Sequence, residues 1–429
     1  MKPLRILITN FTMAGRRGSV MYVRDLAWSL FRRGQHPVVY SPELGEVADE
    51  LRSATIPVTD DLRNITAPPD VIIGNTHPDT MCALLQFPAV PAIFICHAWE
   101  VWTADPPKFP RLRRYVAVDE TVRDWIVSQK GIAEDRVRLI CNGVDLDRFQ
   151  PRDLPLPEKP ERAAVFSNHI NEASGLGVIR AACDRAGITL DVIGEAGGQI
   201  VSRPEEILRR FDIVFAKARC ALEAMTTGCA VIMCDYGKLG GIVTSQNWPE
   251  LRRMNFGRRA IRHKLDADHV LAEIQKYDAK DARDVSRCIR DVASLDDMTM
   301  GILALAQETI TEHMRVGSPG PEAEMRAAAD YIRAMNTFAD TLRFHEEMSR
   351  QLAQTEMLSD GIERLKRELA DRSEHNLVPL QRDNAILQRE LAAAHGQVSE
   401  LQEQLRKIND SPVARLLAKL PMIGKSRGR

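Results

Sequence analysis

The sequence predicts an α/β protein made of two consecutive doubly wound lobes, followed by a helical, coiled-coil extension. Three observations carry this. Short β-branched or aliphatic runs alternate with helix-period segments over the first 235 residues, the pattern of βα units around a parallel sheet. Between Gln150 and Arg162 four prolines in thirteen residues interrupt the series, which then restarts. After Gly317-Ser318-Pro319-Gly320-Pro321 the strand-like runs stop, and the chain becomes rich in Glu, Arg, Gln, Leu and Ala.

In the first lobe, residues 1–152, strands are expected at Leu4 to Thr9, Pro37 to Tyr40, Val71 to Ile73, Ala92 to Cys96, Tyr115 to Val118 and Val137 to Ile140. Val20, Val23, Ala27 and Leu30 recur at three- and four-residue steps between the first two, so a helix joins them and Gly34 stops it. In the second lobe, residues 153–316, strands are expected at Ala163 to Phe166, Leu190 to Ile193, Asp212 to Phe215 and Ala230 to Cys234. Two such lobes joined by a hinge place a ligand cleft between them.

Residues 317–344 read as a helical linker and residues 345–410 as a coiled coil. Leu358, Ile362, Leu365 and Leu369 are spaced 4-3-4, and Leu387, Leu391, Ala394, Val398, Leu401 and Leu405 continue that heptad pattern after a break near Pro379. Asn384 takes the preceding core position, a register-fixing device. An oligomer or a partner helix is the expectation, and an amphipathic helix folded onto its own globule is the alternative. The tail, 411–429, mixes basic and apolar side chains and carries no acid. That suits an anionic lipid surface, and equally a solvated tail.

Over 429 residues, 58 Lys plus Arg nearly balance 59 Asp plus Glu, which excludes a general nucleic-acid binder because that needs a cationic field. The eight cysteines form no C-x-x-C pair and read as small core residues of a reducing compartment. The N-terminus runs straight into Ile6-Leu7-Ile8 and no apolar run approaches eighteen residues, so a cytoplasmic protein is expected, peripheral to the membrane at most.

The most specific stretch is Tyr115-Val116-Ala117-Val118-Asp119, then Val137-Arg138-Leu139-Ile140-Cys141-Asn142-Gly143-Val144-Asp145-Leu146-Asp147-Arg148-Phe149. It resembles the end of the N-terminal lobe in glycosyltransferase family four, where strand, helix and strand lead into an Asn-Gly-Val-Asp turn ending in Arg-Phe. Physically, Asn142-Gly143 is a turn dipeptide able to take positive φ, and Phe149 can staple the exit into a core. The resemblance implies a GT-B fold of two Rossmann-like lobes, with donor nucleotide on the second and acceptor on the first.

Residue by residue, the implied site is as follows. In the first loop, Gly18 stands at one of the family's paired glycines and Arg17 at the other, so Arg17 and Gly18 form the acceptor or phosphate loop, with Arg16 beside them; plain solvation remains open. His97 ends the fourth strand like the family's active-site histidine, suited to bond a sugar hydroxyl or take its proton, although a histidine satisfied by backbone would look the same. His77 matches a further position. In Asp212-Ile213-Val214-Phe215-Ala216-Lys217-Ala218-Arg219-Cys220-Ala221-Leu222-Glu223-Ala224-Met225, Glu223 matches the glutamate that holds the nucleotide ribose. The amides of Cys220 and Ala221 would face the diphosphate, neutralised by Lys217 and Arg219. Gly240 and Gly241, in the glycine loop after Asp235, complete the donor set as a phosphate or sugar cradle, or are a plain turn.

Two positions depart from the family. Phe215 stands where a second glutamate contacts the donor sugar, and Ser167-Asn168-His169-Ile170-Asn171-Glu172-Ala173-Ser174-Gly175 lacks the Arg and Lys that hold the diphosphate; Lys217, Arg219 or His169 would have to compensate. The implied function is transfer of a sugar from a nucleotide-diphosphate sugar to a hydroxyl acceptor, with retention, in surface polysaccharide or glycoconjugate synthesis. The nucleotide sugar is co-substrate and no cofactor is expected. No Asp-x-Asp or histidine cluster argues convincingly for a metal. The rival readings are a catalytically degenerate coiled-coil scaffold and, less well matched at Asn142 to Phe149, a sugar-nucleotide epimerase.

Overall fold

The computed structural model describes residues 2–99, 101–194, 201, 203–336, 361, 364, 366, 388–400 and 403. The chain forms two compact units, Met1–Pro321 and Glu322–Arg429.

The first unit holds two main sheets. Strands β1 (Arg5–Thr9), β3 (His36–Tyr40), β5 (Val58–Thr59), β6 (Val71–Gly74), β7 (Ala92–Cys96), β8 (Leu112–Ala117) and β9 (Val137–Leu139) build a parallel sheet in the order β5-β3-β1-β6-β7-β8-β9. Strands β2 (Thr12–Met13) and β4 (Glu43–Leu44) pair beside it. The second sheet runs β11 (Thr189–Ile193), β10 (Arg162–Phe166), β12 (Ile213–Ala216), β13 (Ala230–Asp235), β14 (Lys238–Ile242), β15 (His263–Lys264), and only β14 runs against the others, antiparallel to both its neighbours. The helices are α1 (Gly18–Arg32), α2 (Glu46–Ser53), α3 (His77–Gln86), α4 (Glu120–Ser128), α5 (Leu176–Ala186), α6 (Pro204–Leu208), α7 (Ala218–Thr226), α8 (Trp248–Arg253), α9 (Ala267–Ile274), α10 (Ala279–Val292) and α11 (Leu295–Val316).

Local chemistry explains the element ends. Helix α1 buries Val20, Val23, Leu26, Ala27 and Leu30 completely, and Gly34 at φ 73° turns the chain out of it into β3. Asp119 caps α4 by accepting from the Val122 amide, Asp278 caps α10, and Ser294 caps α11. Parallel strands need cover on both faces, which is why β6 and β7 are wholly apolar and buried.

Strand order reverses at two points, between β1 and β6 in the first sheet and between β10 and β12 in the second. The loops leaving the carboxyl ends of those strands diverge to opposite faces and open a crevice.

The chain crosses between lobes twice, side by side. The Val144 amide donates to Ala293 O at 2.8 Å and the Leu295 amide to Val144 O at 2.8 Å. Phe149 is fully buried in the second-lobe core with Val214, Leu222 and Met225, so the expected staple is present. The Asn142-Gly143 turn differs from expectation: neither residue has positive φ. Gly143 is required by close approach instead, since a Cβ there would lie 2.6 Å from Ser294 O.

Three sequence expectations are corrected. Helix α11, expected with the second lobe, packs on α1, β7 and β8 of the first: Arg114 pairs with Glu312, and His313 bonds Ala89 O at 2.8 Å. The segment from Gly237 to Gly241 is not a loop, because Lys238–Ile242 is strand β14. Strand ends also move by a few residues, as at β8, which starts at Leu112.

In the second unit, residues 322–336 and 388–400 are helical. Leu391, Ala394 and Val398 are the three residues of 388–400 that are not fully exposed, at the predicted spacing. The other heptad positions, Asn384 and the basic tail lie outside the described residues. No helix among the described residues is long and apolar enough to cross a membrane.

Candidate functional site

The switch point of the first sheet is organised by Asn75, the residue after β6. Its side-chain nitrogen donates to Thr9 O at 3.1 Å, which leaves its Oδ1 to face His97 Nε2 at 2.8 Å. Because Thr9 O can only accept, the Asn75 amide is oriented, and His97 carries its proton on Nε2. Nδ1 then has the lone pair, and no group among the described residues occupies it. The His97 ring lies edge-on to Tyr22 of α1, with centroids 4.6 Å apart. Burial lowers its pKa to about 4, so the imidazole is neutral near pH 7. His77, at the start of α3, is buried edge-on against Trp102, and burial lowers it likewise to about 4.

The first loop places Arg16 against Glu50, and its carbonyl accepts from Asn168 of the second lobe at 3.4 Å. Arg17 and Gly18 are exposed. A Cβ on Gly18 would meet nothing within 4 Å, so packing does not explain that glycine.

In the second lobe α7 follows β12. Ala218 takes φ 48° and donates its amide to Phe256 O at 2.8 Å, while the Ala221 amide is taken by Lys217 O at 3.3 Å. The open first-turn amides are therefore Arg219 and Cys220, a correction to the expected Cys220 and Ala221 pair. Ala221 is in the core, and burial pushes the Cys220 thiol up to about 12.

Arg219 does not face an open anion site. Its Nε donates to Glu223 Oε1 at 2.7 Å and its Nη2 to the Asp25 carboxylate of α1. Arg24 pairs with Asp25 and Glu50, so a charge network runs Arg16, Glu50, Arg24, Asp25, Arg219, Glu223 across both lobes. Burial would raise the Asp25 carboxyl, yet Arg219 and Arg24 hold it down at about 2. Burial raises Glu223 and Arg219 offsets that only in part. Glu223 Oε2 has no partner among the described residues.

Lys217 reaches the buried Asp235 at the end of β13, and Arg258 donates to the same oxygen at 3.0 Å. Gly240 and Gly241 serve the β13–β14 pairing: a Cβ on Gly240 would lie 2.9 Å from that of Met233, and Gly241 has φ 85° beside Glu273. They do not form a cradle. Phe215 is fully buried in the core, so no carboxylate stands there.

Asn75, Asp25 and Arg258 have no place in the sequence-based site. Asp25 had a signal, since Tyr22, Asp25 and Ser29 form a buried polar stripe at helical spacing beside the apolar one. Arg258 had none, because folding alone brings it to Asp235. Among the described residues no group of three His, Cys, Asp or Glu side chains could hold a metal ion.

Residues 16–148 match the model of Glycosyltransferase Family 4. A glycosyltransferase from Rickettsia africae is similar in structure, with a TM-score of 0.54 and 14% identity over 72% of this chain and 99% of that one. Anabaena HepE, solved in complex with UDP, aligns with a TM-score of 0.49 and 14% identity over 71% of this chain and 100% of its own. No curated protein is detectably similar in sequence.

Proposed function

We propose that this chain, a GT-B protein whose first lobe carries a Glycosyltransferase Family 4 domain, moves a sugar from a nucleotide-diphosphate sugar on its second lobe to a hydroxyl held on its first. One observation carries the reading: α1 sets Tyr22 against His97 and, three residues on, pairs Asp25 with Arg219, which also holds Glu223 of α7. The two halves of the proposed reaction are thus joined through α1.

Glu223 Oε2 is the acceptor for a ribose hydroxyl. The Arg219 and Cys220 amides, with Lys217, meet the diphosphate and stabilise charge on the leaving group. Neutral His97 takes the acceptor proton at Nδ1. Buried Phe215 favours a second reading, in which donor is bound but not transferred.

Thermal shift against a panel of nucleotide sugars tests donor binding, since a ligand of the native state alone raises the melting temperature. If Glu223→Gln binds like the wild type, the donor-site assignment is wrong. Binding without transfer to any hydroxyl acceptor supports the second reading.

A further inference from the structure

Two polar groups at the carboxyl edge of the first sheet are buried without a partner. Asn10 follows β1 as Asn75 follows β6 and His97 follows β7, so three adjacent strands each end in a polar side chain at this edge. Asn10 is 1% exposed; its Nδ2 donates to Thr12 O at 2.7 Å, and its Oδ1 has no partner among the described residues. Tyr22, 4% exposed, stands edge-on to His97, and its Oη has none either.

A buried donor or acceptor left open destabilises the free protein, and most such groups in a fold are paired. The fold could dispense with the Tyr22 hydroxyl, because a phenyl ring would keep the contact with His97. Burial pushes the phenol well above its usual pKa against the pull of the Arg219 charge, so Oη keeps a proton to donate. His97 Nδ1 and Asn10 Oδ1 can only accept. One donor and two acceptors therefore lie open around one sheet edge. A molecule with a lone hydroxyl would satisfy one of the three and leave the others dry; a ring carrying neighbouring hydroxyls would satisfy them all. Phe11 beside Asn10 and Trp99 two residues past His97 are both exposed, and give this edge apolar faces suited to the C–H face of such a ring.

We infer that the acceptor is a carbohydrate offering neighbouring hydroxyls: the reacting one donates to His97 Nδ1, a second accepts from Tyr22 Oη, and a third donates to Asn10 Oδ1. The inference rests on the transferase reading above and names the acceptor class which that reading leaves open. In the transfer the reacting oxygen bonds to the anomeric carbon of the donor, its proton passes to His97 Nδ1, and the nucleoside diphosphate leaves with the bonding pair. Tyr22 and Asn10 touch only the hydroxyls that do not react, so they set specificity and orientation.

Nucleotide release by the full chain tests this, with UDP-glucose, UDP-N-acetylglucosamine, GDP-mannose and TDP-rhamnose as donors. The acceptors are the methyl glycosides of glucose, galactose, mannose and rhamnose, set against 1-octanol and N-acetylserine amide, which offer one hydroxyl each. A methyl glycoside is expected to accelerate release, and the single-hydroxyl compounds are not. Tyr22→Phe should raise KM for that glycoside roughly tenfold, the loss of one hydrogen bond, and leave KM for the donor within about twofold. Its melting temperature should hold or rise, since the variant removes an unpaired buried group. A hydroxyl that served only the fold would give the reverse, a lower melting temperature with an unchanged glycoside KM. That result, or transfer that runs as well on the single-hydroxyl compounds as on any glycoside, overturns the inference while the transferase reading stands. Wild type that transfers to neither class overturns both.

Discussion

Arg219 of α7 and Asp25 of α1 form a buried ion pair between the lobes, and the same guanidinium holds Glu223. Asp25→Asn removes the carboxylate that Arg24 and Arg219 share and leaves Arg219 buried with Glu223 alone, so it should destabilise the protein by about 3 kcal/mol in urea unfolding. The double variant Asp25→Asn with Arg219→Gln should lose clearly less than the sum of the singles. Additive losses would mean the pair is not formed in solution.

The same pair sets an acid dependence. Asp25 is lowered from 3.8 to about 2, so its contribution, about 2 kcal/mol, is complete above the unfolded value and is lost as pH falls through the folded one. Glu223 acts in the opposite sense, because its carboxyl is raised and its ionisation opposes folding as pH rises through its unfolded value. Unfolding free energies of wild type and Asp25→Asn should therefore converge between pH 4 and 2; a constant difference would contradict the assignment.

His97 gives a prediction about rate. Its imidazole is neutral above pH 5, so kcat/KM for transfer should be flat there and fall roughly tenfold per pH unit well below 4. His97→Gln should lower transfer by about a hundredfold or more while donor affinity stays unchanged. Asn75→Ala should cause a smaller loss, since it frees the tautomer and ring orientation without removing the base. An Asn75→Ala enzyme with unaltered rate would separate Asn75 from catalysis.

The parts of this site that the sequence made legible are those written locally. Periodicity and turn chemistry place the apolar strand before His97, the strand and helix around Glu223 and the stop of α1 at Gly34, while it is the resemblance to glycosyltransferase family four that singles out His97 and Glu223. The pairing of Arg219 with Asp25 spans 194 residues and has no local trace. Its consequence, that Arg219 is unavailable to phosphate, could come only from the fold. The glycine run reads as a loop for a related reason: Gly240 is dictated by Met233 on the neighbouring strand, a contact that composition cannot express. Helix α11 follows the second lobe in sequence, whereas its buried face, with Ile302, Leu305 and Ala306, covers the first sheet.

Gly143 sits where the two crossings touch. A Cβ there would lie 2.6 Å from Ser294 O and 2.8 Å from Leu295 N, both backbone atoms that cannot swing away. Gly143→Ala should therefore cost about 2 kcal/mol or more in urea unfolding. Gly18→Ala, where a Cβ meets nothing, is the matched control and should change stability little. Equal losses in the two variants would refute the close approach at the crossing.

The position of α11 makes the first lobe dependent on the far end of the first unit. Its Ile302, Leu305 and Ala306 are buried, and Arg114 and Ala89 of the first lobe bond Glu312 and His313. A chain ending at residue 294 strips that cover from β7 and β8, exposing apolar surface that parallel sheets keep dry on both faces. A chain ending at residue 321 retains the first unit whole. The longer truncation is expected to melt cooperatively within a few degrees of the full protein, and the shorter to be insoluble or to bind a hydrophobic dye without a cooperative transition. A cooperative transition in the shorter chain would mean that α11 is an accessory of the fold, and that the first lobe closes its own core.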